Sequence, residues 1–67
     1  MEKKFISCDM VSYRLWNELK PLITKNGIEI IKEEEYKKYI YVEYIVNSEE
    51  YELINRLIKE VENMLDI

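Results

Sequence analysis

The densest group of chemically capable side chains is Glu33-Glu34-Glu35, with Glu29 shortly before it. Several carboxylate oxygens gathered at one point hold a hard cation, and a pair of carboxyls with separated pKa values does acid–base work. Both uses require convergence. Consecutive residues of an extended chain point to opposite faces, so these neighbours do not meet. The run also lacks the Asp-x-Asp-x-Asp-Gly spacing of a calcium loop. It reads as a solvated turn, and as a second reading it offers Glu33, Glu34 and Glu35 as an acidic contact surface for basic groups of a partner.

Other routes to catalysis close quickly. The chain has no histidine and one cysteine, Cys8, which excludes Ser-His-Asp triads, Cys-His dyads, an internal disulfide and zinc clusters. Cys8 precedes a helix start, where thiol pKa values fall, but Asp9 beside it opposes a thiolate, so it reads as a structural thiol. The single glycine, Gly27, rules out a glycine-rich phosphate loop. Six tyrosines invite comparison with sheets that stack RNA bases, but the glycine-rich aromatic motif of such sheets is missing. No catalytic residue, metal or cofactor is expected, and the chain reads as a protein that is not an enzyme.

The elements that position these residues follow from periodicity. Lys3 to Cys8 reads as a short strand, after which Asp9 or Ser12 caps a helix. Leu15, Trp16, Leu19, Leu22 and Ile23 then recur with the helical period, which places Trp16 in the core. Pro21 falls inside this stripe, so the helix either kinks or restarts there, and Gly27 stops it. Ile28 to Lys32 reads as a strand running into the three glutamates. A hairpin around Glu35-Tyr36-Lys37 leads into the strongest β segment, 38–46, with Glu33 or Glu35 facing Lys37 or Lys38 across it. Asn47 with Glu50 makes a capping box, and Leu53, Ile54, Leu57, Ile58, Val61, Met64 and Leu65 form an apolar stripe to the end.

The order is β-α-β-β-α in a single small domain spanning 1–67, with no linker or repeat. Its expected form is an α+β two-layer sandwich, a three-stranded sheet with two helices on one face. In outline this resembles a ferredoxin-like βαββαβ domain without its last strand, a likeness of shape that carries no function.

Along strand 38–46 the side chains alternate. Ile40, Val42, Tyr44 and Val46 go to one face, and Tyr39, Tyr41, Glu43 and Ile45 to the other. If the helices cover the first set, the second remains open and largely apolar, as an association surface would be. The expected function is binding or regulation by protein–protein contact as a homodimer, an inhibitor of a host protein being one form of it. The dimer forms either by stacking open faces through Tyr39, Tyr41, Glu43 and Ile45 or by pairing the edge strand that a missing fourth strand would have covered. The alternatives are a dimer that sequesters a small ligand between its subunits and, last, a single-stranded RNA binder.

Charge bears on the partner. Residues 1–26 carry five basic and three acidic side chains, and residues 27–67 carry five and eleven, which gives +2 and −6. Such an acidic balance disfavours nucleic acid and suits a basic protein partner. No apolar stretch reaches the roughly 18 residues that span a membrane, and Asp9 interrupts the short apolar run after Lys3-Lys4. The expected location is cytoplasmic.

Overall fold

A computed structural model describes residues 3–66 of the chain. It is an α+β fold with β1 (Phe5–Ser12), α1 (Tyr13–Lys25), β2 (Glu29–Glu35), β3 (Tyr39–Val46) and α2 (Ser48–Leu65) in that order. The three strands form one open antiparallel sheet in the order β1-β3-β2. The two helices lie on one face of it, as the periodicity predicts.

β1 is longer than the sequence reading, which ended it at Cys8. Asp9 is a strand residue in register with Val42, and the alternation continues through Met10 to Val11, which is buried against the core opposite Ile40. The cap is Ser12, whose Oγ accepts from the Leu15 N–H at 3.1 Å. Hydrogen bonding to the central strand outweighs the local capping preference of Asp9.

Pro21 neither splits nor restarts α1, which runs as one helix through it. Gly27 adopts φ +75° just beyond the C-cap, a conformation that costs other residues about 1 kcal/mol or more. There the Gly27 N–H donates to the Thr24 carbonyl and the Ile28 N–H to the Ile23 carbonyl, a Schellman closure with Ile28 packed into the core. The α2 start is the expected capping box. The Glu50 N–H donates to Asn47 Oδ1 at 2.8 Å, and the Asn47 N–H donates to Glu50 Oε1 at 2.9 Å.

The core lies between the layers. Leu15, Trp16, Leu19 and Ile23 of α1 and Ile54 and Val61 of α2 meet Ile40, Val42, Tyr44 and Val46 of β3. β3 is therefore covered on one face by both helices and flanked on both edges.

Candidate functional site

The face of the sheet away from the helices carries Tyr39, Tyr41, Glu43 and Ile45, the set predicted to stay outside. Tyr39 is 40% exposed, and Tyr41, Glu43 and Ile45 are half-buried by their strand neighbours. The register adds Ile6 opposite Ile45, Cys8 opposite Glu43 and Met10 opposite Tyr41. Ile6 is 62% exposed and Met10 58%, so the apolar strip is widest along β1. Sequence reading missed Met10 because it ended β1 at Cys8, and Ile6 because its position on the open face depends on which strand β1 pairs with. The signal was present, since Ile6, Cys8 and Met10 share the parity of one strand face. Cys8 accordingly lies exposed on the open face and is not the interior thiol expected of it.

Toward β2 the same face becomes polar. Lys32 stands opposite Glu43, and Glu34 opposite Tyr41. The Tyr41 hydroxyl donates to Glu43 Oε2 at 2.6 Å, a bond that raises the phenol pKa because the carboxylate favours the protonated form. Lys32 Nζ lies 2.7 Å from Glu34 Oε1, and the Tyr36 hydroxyl donates to Glu34 Oε2 at 3.1 Å. The Lys32 bond lowers the Glu34 pKa and reciprocally raises that of Lys32.

The glutamate run is split between faces as strand geometry requires. Glu34 is on the open side, while Glu33 and Glu35 fall in the rows of Val42 and Ile40 on the helix side. Glu33 accepts from Trp16 Nε1 at 2.8 Å and from Lys20 Nζ at 3.0 Å. Partial burial pulls its pKa upward, but these two bonds and the lysine charge outweigh that and hold it below the ordinary carboxylate value. The cations that meet the run are thus Lys20 and Lys32, in place of the expected Lys37 and Lys38. Among the described residues no group of carboxylates and thiols gathers to hold a metal ion.

Two further features flank the core. An open groove beside α1 is lined by Tyr13, Trp16, Pro21 and Ile40, with Lys20 and Glu33 among its polar groups. Under the helices, Asp9 is half-buried, and burial raises its carboxyl pKa. Nearby, Tyr44 is fully buried, and burial together with the charge and hydrogen bonding of Asp9 raises its own pKa.

Comparison with protein-family models, with curated proteins and with solved structures finds no match to this chain. The fold and its surfaces alone carry the functional reading.

Proposed function

We propose that this protein is a small, non-enzymatic binding protein that works by protein–protein contact as a homodimer. Its two copies associate through the side of the sheet that the helices leave uncovered. That side comprises the open face with Tyr39, Tyr41, Glu43 and Ile45 and its β1 border with Ile6 and Met10. The observation that carries the reading is the exposure on one face of Ile6, Met10 and Tyr39, all at least 40% exposed, with exposed Cys8 between the first two and half-buried Tyr41 and Ile45 beside them.

Energy and area favour a second copy as the occupant. Fully burying one large apolar side chain contributes about 1.5–3 kcal/mol, and a domain this small has little stability to spare. A stable interface takes about 800 Å² from each partner. That is roughly one-sixth of the 4898 Å² surface of this chain. The strip along β1 carries no charge on its open side, so two copies bring no like charges together there.

Sedimentation velocity of the pure chain tests the reading. A dimer at ~10 µM, corresponding to a dissociation constant in the micromolar range or below, is expected. A monomer at that concentration and at tenfold higher overturns it.

A further inference from the structure

The two free edges of the sheet are built differently. β2 is interrupted by a bulge between Ile30 and Lys32, and it carries Glu29, Lys32, Glu33, Glu34 and Glu35. Bulges and charges are the devices by which an edge strand avoids pairing with another chain. β1 has neither on its open side. Its register with β3 is unbroken over eight residues, it contains no proline, and its one charged residue, Asp9, points under the helices.

The direction of the β1 backbone groups follows from the hairpin. The Tyr36 N–H donates to the Tyr39 carbonyl at 2.8 Å, so the backbone groups of Tyr39 face β2. Alternation along β3 then turns those of Ile40, Val42, Tyr44 and Val46 toward β1, where they meet Val11, Asp9, Ser7 and Phe5. The amides and carbonyls of Ile6, Cys8 and Met10 therefore point away from the sheet.

The residues around this edge read the same in both directions. About Cys8 stand Ser7 and Asp9, both small and polar, then Ile6 and Met10, then Phe5 and Val11. A two-fold antiparallel pair places residues equidistant from its centre opposite each other, so a pattern symmetric about one residue is what such a pair requires.

Resting on the homodimer reading, we infer that the two copies join β1 to β1 in antiparallel register with Cys8 opposite Cys8, making one continuous six-stranded sheet. Ile6 then faces Met10 of the second copy on the open side, and the three outward pairs form about six interchain hydrogen bonds. On the helix side Phe5 meets Val11 and Ser7 meets Asp9, a hydroxyl beside a carboxylate. Neighbouring registers are worse. Centring on Asp9 sets two aspartates face to face, and centring on Ser7 sets Phe5 against Asp9; like charges directly opposite destabilise a sheet.

The native cysteine reports the register. A hydrogen-bonded antiparallel pair has Cα atoms about 5.5 Å apart, inside the 4.4–6.8 Å range of a disulfide. Treating the full chain with diamide, which takes one hydrogen from each of two thiols as the S–S bond forms, is expected to give a covalent dimer. Its yield should hold across about a hundredfold dilution above the dissociation constant. Cys8→Pro removes an outward N–H without breaking a bond to β3, so it should weaken the dimer at least about tenfold with the fold intact. Tyr41→Ser with Ile45→Ser, on the open face beside that edge, should weaken it too, but less than Cys8→Pro does.

A stable dimer that resists this oxidation, or one dissociated by the face variant and not by Cys8→Pro, overturns the edge register and leaves the homodimer standing. A monomer in sedimentation overturns both. If Cys8→Pro fails to fold, the oxidation yield of the native chain decides alone.

Discussion

Glu33 shows how one side chain in a charged run acquires a structural role. Its carboxylate ties α1 to β2 through the Trp16 indole and the Lys20 ammonium. Its pKa is lowered in the fold, so its contribution is present above the unfolded carboxylate value and is lost as pH falls through the folded one. With the Glu33 side chain about one-third exposed, Glu33→Gln should cost no more than about 1 kcal/mol at neutral pH. In urea titrations, the difference from the native chain should shrink toward pH 3. Asp9 has the opposite sign. Burial raises its pKa, so the folded state favours the protonated form and the penalty of holding the charge grows as pH rises. Asp9→Asn should therefore stabilise the chain at neutral pH, by up to about 1 kcal/mol, and lose that advantage in acid. Equal effects at both pH values would refute the assignment. Neither partnership of Glu33 was legible beforehand, because Trp16 and Lys20 lie on a helix and their approach to β2 depends on how α1 packs.

Among the elements, the termini of the helices are the most legible parts of the chain. Asn47 and Glu50 form their box, and Gly27 closes α1, because these bonds join residues within a few positions of each other. Asn47→Ala should destabilise the fold by about 1 kcal/mol. Gly27→Ala should cost about 1–2 kcal/mol, and for a backbone reason only, since nothing lies within 4 Å of the added carbon. Chemical denaturation of the two variants checks both values. If Gly27→Ala proved neutral, the left-handed closure would be wrong. β1 was the least legible element. Its second half contains Asp9 and Ser12, both good caps, and only pairing with β3 keeps Asp9 in a strand.

As a whole the molecule is a thin plate, 37 × 23 × 15 Å, with one broad face covered and the other not. Its 4898 Å² of surface compares with about 4500 Å² expected for a monomer of its 8.2 kDa mass. The interior rests on few residues. Leu19→Ala at a fully buried position should cost about 2–5 kcal/mol, which for so small a domain approaches the whole of its stability. In the proposed dimer, association adds stability by mass action, so the thermal midpoint of the native chain should rise with protein concentration. That rise should be lost in Cys8→Pro. A midpoint independent of concentration in the native chain would count against self-association at this scale.

The sequence by itself determined the order of elements, the close of α1 at Gly27, the start of α2 at Asn47 and which face of β3 enters the core. Each of these is written in spacings of two to four residues along the chain. Only the tertiary structure decided that Ile6, Cys8 and Met10 lie in the open, that Glu33 of β2 bonds to α1, and that β1 keeps an unguarded edge. Those outcomes depend on which strand lies beside which, Phe5 meeting Val46 and Ser12 meeting Tyr39 across the intervening chain. Local period fixes which way a residue points within its strand, and strand order fixes what it finds there.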